Sequence, residues 1–150
     1  MTRFPGDPRE PSRPFPYRLA VQATLRDTDG LGHVNNGVYL TWLEEVRTRY
    51  VCDRRGWTDL AQVDFILASA KIDFRSPVRL LEVVDLWCGP SRVGRSSWEL
   101  LYEGRSRADG RLVVEASTVQ VQFDYARQSS VPIPGAWRDL LESDLMAGPA

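Results

Sequence analysis

Leu25-Arg26-Asp27-Thr28-Asp29-Gly30-Leu31-Gly32-His33-Val34-Asn35-Asn36, running straight into Gly37-Val38-Tyr39-Leu40, is the stretch on which the reading of this chain turns. Two carboxylates, the single histidine, two glycines and two asparagines stand just ahead of a helical pattern. From Gly37 to about Arg54, Tyr39, Leu43, Val46 and Tyr50 recur at intervals of four, three and four, widened by Val38 and Trp42. Thr41, Glu44, Glu45, Arg47 and Arg49 form the polar remainder of that helix. Asn35 or Asn36 is expected to cap it, leaving first-turn N–H groups facing the loop. At about 1.5 Å per residue, such a helix crosses the face of a small sheet.

Strand patterns lie on both sides. Tyr17 to Leu25 alternates, with Tyr17, Leu19, Val21, Ala23 and Leu25 on one face. After a short link from Trp57 to Val63, which has some helical character, come four strand-like segments. They are Phe65 to Phe74, Glu82 to Cys88 bounded by Gly89-Pro90, Ser97 to Arg105 ended by Ala108-Asp109-Gly110, and Leu112 to Tyr125. Ala136 to Leu145 is expected to add a helix, with Trp137, Leu140 and Leu141 as its apolar side. One strand, one long helix and then hairpin-linked strands predict an α+β domain in which an antiparallel sheet wraps the helix. One helix covers only part of a five-strand sheet, so an exposed edge or apolar surface predicts a homodimer.

Composition narrows the function classes. A chain of 150 residues suits one domain with a real core. The formal net charge of −1 provides no overall field to recruit nucleic acid or an anionic membrane. No apolar run approaches the roughly 18–20 residues needed to span a bilayer. Residues 1–16 carry Pro5, Pro8, Pro11, Pro14 and Pro16 and no apolar signal core, so a flexible Pro/Arg-rich tail on a cytoplasmic protein is expected, with one domain over 17–150. Cys52 and Cys88 form no metal-ligand pattern with His33; free thiols and no metal are expected. Lys71 is the only lysine, so individual arginines are weak functional signals.

The loop has its own chemistry. A helix N-terminus offers unpaired N–H groups and about half a positive charge to a developing oxyanion. Gly30 and Gly32 let an upstream carboxylate fold back to the same point. His33 can orient water or share a proton near neutral pH. Together these suggest acyl transfer to water. The structural alternative is that Asp27 and Asp29 merely close turns on their own backbone, His33 is a structural hydrogen-bonding residue, and Asn35 and Asn36 are caps. No Gly-x-Ser-x-Gly motif supports a serine nucleophile.

The run from Leu25 to Leu40, with Trp42, Glu44 and Arg47 behind it, resembles the hotdog-fold acyl-CoA thioesterases of the 4-hydroxybenzoyl-CoA thioesterase type. The resemblance extends over about Tyr17 to Pro134, with weaker signatures at Phe74-Arg75-Ser76-Pro77, Val93-Gly94-Arg95-Ser96-Ser97, and Arg127 with Val131-Pro132-Ile133-Pro134. It implies one long helix wrapped by about five antiparallel strands, dimers with a continuous sheet, and often tetramers. The resemblance makes Asp29 the catalytic carboxylate, as nucleophile or as base for water. It gives the N–H near Asn36 the task of polarising the thioester carbonyl. His33 matches the histidine of plant-type acyl-carrier-protein thioesterases, although Leu31 stands where those enzymes place an asparagine. By the same resemblance, Arg95, Ser96, Ser97 and Arg127 occupy positions that often meet coenzyme A phosphates, a task that charge suits. The implied activity is hydrolysis of acyl-CoA to a carboxylic acid and coenzyme A, with no cofactor. The alternatives are an acyl-carrier-protein thioesterase and a non-hydrolytic acyl-CoA-binding dimer.

Overall fold

The computed structural model describes residue 4 and residues 6–147. In chain order the elements are β1 (Tyr17–Gln22), a 3-10 turn (Leu25–Asp27), α1 (Asn36–Arg55), a second 3-10 turn (Leu60–Gln62), β2 (Phe65–Phe74), β3 (Val83–Val93), β4 (Ser97–Ser106), β5 (Leu112–Asp124), β6 (Ser129–Ser130) and α2 (Gly135–Ser143). The long strands follow the spatial order β1-β3-β4-β5-β2, and β6 adds two residues to β5. Every pairing is antiparallel. This is the α+β arrangement, an antiparallel sheet wrapped around one long helix, that the order of elements predicts and the family resemblance implies.

The helix forms because its apolar stripe has a sheet to meet. Tyr39, Trp42, Leu43, Val46, Tyr50 and Val51 are buried and pack with Val84, Leu86 and Cys88 of β3 and Trp98, Leu100 and Tyr102 of β4. Asn35 is the N-cap, its side chain accepting the Gly37 N–H at 2.9 Å. At the other end Gly56 takes φ +66 and returns its N–H to Cys52, a left-handed stop that suits glycine.

Two expectations need correction and two gain detail. Gly89-Pro90 does not end a strand: β3 continues to Val93, and the register shifts between Pro90 and Arg92. A proline cannot donate to the ladder, and a bulge is where a strand accommodates it. The first strand ends at Gln22, and Leu25 is 76% exposed in the following turn. Within the 57–63 link, only Leu60–Gln62 forms a 3-10 turn. Finally, Arg47, a member of the polar remainder of the helix, is buried.

The face of β3 and β4 turned away from α1 carries Asp85, Trp87 and Glu103, all buried. Described residues of the Pro-rich segment hydrogen-bond to this face. Arg9 N–H donates to Asp85 at 3.2 Å, Ser12 N–H donates to Glu103 at 2.9 Å, and the Arg9 guanidinium donates to the carbonyls of Arg107 and Ala108. Residues 1–3, 5 and 148–150 lie outside the described residues. Cys52 and Cys88 are free thiols.

Candidate active site

Residues 24–36 form a tight loop between β1 and α1, stitched by their own backbone. The Asp29 N–H donates to the His33 carbonyl at 2.8 Å, and Asn35 N–H to the Asp27 carbonyl at 2.8 Å. Gly32 closes the reversal at φ +80, a left-handed conformation that a side chain would strain. Asp27 folds back on Thr24, accepting its N–H at 2.7 Å and its hydroxyl at 3.0 Å. Asp27 is thereby a turn residue.

Asp29 is exposed, and its Oδ1 accepts the N–H groups of Leu31 at 2.8 Å and His33 at 3.3 Å. Its Oδ2 makes no hydrogen bond among the described residues. The turn role and an available carboxylate oxygen therefore coexist in one side chain. His33 is half-buried and bridges to Arg79, while Val34 N–H donates to the Val78 carbonyl; these contacts tie the loop to the β2–β3 connection. Asn36 is the first helical residue, and its N–H has no acceptor among the described residues. Around the loop, Leu31 is 82% exposed and Leu40 49%.

The four coenzyme A candidates fall elsewhere. Arg95, Ser96 and Ser97 make the β3–β4 turn, with Gly94 N–H donating to Ser97 at 2.7 Å. Gln122 N–H donates to Ser96, and Ile133 N–H to Arg95, so the end of β5 and the segment after β6 lie beside this turn. Arg127 sits in the β5–β6 connection at the same end of the sheet, its N–H donating to Asp124. Arg95 and Arg127 are exposed. One end of the sheet thus gathers all four. The Asp29 loop leaves the other end, because Gln22 pairs with Val83 at the start of β3. β3 has eleven residues, which puts roughly 35 Å between the two groups. One chain does not bring them together.

A cavity of about 390 Å³ opens between the second half of α1, the 57–63 link and the start of β2. Val51, Trp57, Phe65 and Leu67 give it apolar walls, and Arg47 also lines it; Asp29, His33 and Asn36 do not. Beside it, beneath α1, runs a buried polar line. Arg47 donates to the Tyr102 hydroxyl at 3.4 Å, which lies 2.7 Å from the Thr118 hydroxyl, and Gln120 Nε2 donates to the same Thr118 oxygen. Burial pushes the Tyr102 hydroxyl and the Cys88 thiol above their ordinary pKa values, so both stay neutral near Arg47. The sequence reading missed this line. Its trace was Thr118-Val119-Gln120-Val121-Gln122, an alternation whose polar members face the helix. Among the described residues no group of His, Cys, Asp and Glu forms a metal site, and no helix is long and apolar enough to cross a membrane.

Known proteins resemble this chain in sequence and fold. YsmA of Bacillus subtilis strain 168, an uncharacterized protein, is 29% identical over 125 residues, covering 83% of this chain and 82% of its own. FadM of Escherichia coli strain K12, a long-chain acyl-CoA thioesterase, is 26% identical over 112 residues, covering 73% of this chain and 85% of its own. The crystal structure of a thioesterase from Thermus thermophilus, complexed with coenzyme A and Zn, superposes with a TM-score of 0.77 at 30% identity. That superposition covers 86% of this chain and 94% of the other. Residues 23–143 match the thioesterase-like superfamily as a whole. The chain belongs to the thioesterase-like superfamily.

Proposed function

We propose that the protein hydrolyses acyl-CoA thioesters to a free carboxylic acid and coenzyme A, with Asp29 as the reacting carboxylate. The observation that carries this reading is the pairing of an exposed Asp29 oxygen with a helix start whose Asn36 N–H has no acceptor among the described residues. In this scheme the Asn36 N–H stabilises the oxyanion as the thioester carbonyl is attacked. Asp29 either adds to the carbonyl carbon, giving an anhydride that water opens, or takes a proton from the attacking water. Both routes break the C–S bond, and the coenzyme A thiolate leaves and takes up a proton. His33, whose backbone N–H is held by Asp29, keeps the loop in register beside the β2–β3 connection.

The working unit of this proposal is a homodimer. β2 is an edge strand of ten residues, and Leu67, Ala68, Ser69, Ala70 and Lys71 along it are exposed. An unpaired, largely small-residue edge supports pairing with a second copy. Antiparallel β2-to-β2 pairing about a two-fold axis sets the Asp29 loop of one subunit near the Arg95–Ser97 turn of its partner. That arrangement supplies phosphate-binding arginines and hydroxyls to a site that one chain leaves incomplete.

Release of free thiol from short, medium, long and aromatic acyl-CoA substrates tests the activity, with acyl-carrier-protein thioesters and the Asp29→Asn variant in parallel. Turnover lost in the variant supports the proposal. Tight acyl-CoA binding without thiol release by a folded wild-type protein overturns it in favour of a binding dimer.

A further inference from the structure

Arg47 stands apart from the other arginines near α1. Arg54 pairs with Asp144 at 2.7 Å and Arg55 with Asp64 at 2.7 Å, both partly solvated. Arg47 is only 7% exposed, yet among the described residues it has no ion pair. Its one hydrogen bond among the described residues, at 3.4 Å, goes to the neutral Tyr102 hydroxyl. A guanidinium is always charged, and burying it without an anion is costly. An unmatched buried cation that borders a cavity points to an anionic group entering that cavity.

The surroundings describe the ligand. Val51, Trp57, Phe65 and Leu67 suit a hydrocarbon chain. The cross-strand partners of Phe65 and Leu67 are Gln122 and Gln120, whose side-chain oxygens are buried without hydrogen bonds among the described residues. Turned by half a rotation, the Gln120 amide accepts from the Thr118 hydroxyl and frees an NH₂ donor. The carboxylates at the cavity, Glu44 and Asp59, are exposed at its rim, and Asp59 is engaged by the Ala61 N–H at 2.9 Å. Arg47 lies eleven residues beyond Asn36, about 16 Å along the helix axis, and so is remote from the reacting thioester.

We propose that this cavity binds the far end of an acyl chain bearing a carboxylate, with Arg47 as its counter-ion and specificity-determining residue. The proposal rests on the thioesterase reading for the reaction but not for the binding. ω-Carboxyacyl-CoA substrates are therefore preferred over unsubstituted acyl-CoA of the same length, and Arg47 sets that preference.

Two measurements test it. The first is kcat/KM for length-matched pairs of ω-carboxyacyl-CoA and plain acyl-CoA, with wild type, Arg47→Lys and Arg47→Met. The expected result is a preference of at least about tenfold for the carboxylated member at one chain length. That ratio falls about tenfold or more in Arg47→Met and partly recovers in Arg47→Lys. The second is calorimetric titration of the wild type with free hexanoate and octanoate against the neutral isosteres hexanamide and octanamide, which needs no turnover and no variant. Preferential binding of the carboxylates supports the site even if no thioester is hydrolysed, and in that case only the functional reading fails. Hydrolysis of plain acyl-CoA with no preference for the carboxylated partner, and equal binding of carboxylates and amides, overturns the site and leaves the thioesterase reading intact. If wild type shows no preference and Arg47→Met is monomeric, Arg47 serves the subunit contact and the proposal is overturned.

Discussion

The carboxylate of Asp29 holds the backbone of Leu31: Oδ1 accepts the Leu31 N–H at 2.8 Å and closes the loop ahead of α1. Turn closure and catalysis can be separated because asparagine keeps an acceptor oxygen and loses the charge. Asp29→Asn is expected to retain the loop and the thermal midpoint while kcat/KM for thioester hydrolysis drops about 10²–10⁴-fold. Asp29→Ala is expected to lose the turn contact as well. Full turnover in a folded Asp29→Asn protein would rule out the carboxylate mechanism.

The separation of Asp29 from the Arg95–Ser97 turn makes a second prediction. If each site takes its carboxylate from one subunit and its phosphate contacts from the other, two inactive variants complement one another. Asp29→Asn and an Arg95→Ala/Ser97→Ala/Arg127→Ala variant are each expected to be weakly active. Mixed dimers formed after unfolding and refolding together recover part of the wild-type rate, because one of their two sites is intact. No recovery from verified mixed dimers would show that the partner's Arg95–Ser97 turn does not complete the Asp29 site.

Asp85 is fully buried on the outer face of the sheet, where it meets Arg107 in a two-point pair and Arg18 at 3.2 Å. Removing one member of such a pair leaves a charge stranded in the protein. Asp85→Ala is expected to cost about 3–5 kcal/mol, read as a lower urea midpoint. A loss under about 1 kcal/mol would mean that solvent reaches Arg107 once Asp85 is gone.

Glu82 couples stability to acid. Burial alone would raise its pKa, but hydrogen bonds from Arg111 at 2.7 Å and Ser106 at 2.7 Å outweigh that and hold it below the ordinary carboxylate value. A group depressed in the folded state stabilises the protein fully above its unfolded pKa, about 4.3, and progressively less as pH falls through the lower folded value. Wild type is therefore expected to exceed Glu82→Gln in thermal midpoint at pH 6, with the gap narrowing below about pH 4. A gap that stays constant down to pH 3 would assign the difference to packing rather than charge.

The helix was legible because its signals are local. Tyr39, Leu43, Val46 and Tyr50 recur at the period of an α-helix, and Asn35 and Gly56 stop it chemically at both ends. β2 was read with its observed bounds from β-formers ended by Ser76-Pro77. The continuation of β3 through Gly89-Pro90 was not legible. A Gly-Pro pair ends most strands, and only the ladder formed with β4 shows that a bulge absorbs it.

For the candidate site, the sequence alone determined the composition of the loop: a carboxylate, a left-handed glycine and a helix cap within a few residues, each acting on near neighbours. Tertiary structure decided what lies far apart in sequence. It sent the Arg95–Ser97 turn to the opposite end of the sheet from Asp29, because β3 must run its full length between them. It also buried Arg47, which helical periodicity had left in the polar remainder of the helix. Gln120 and Gln122 were turned inward and Val119 and Val121 outward, because strand alternation says which residues share a face but not which face meets the helix. That choice is made only when β5 pairs with its neighbours and α1 lies across them.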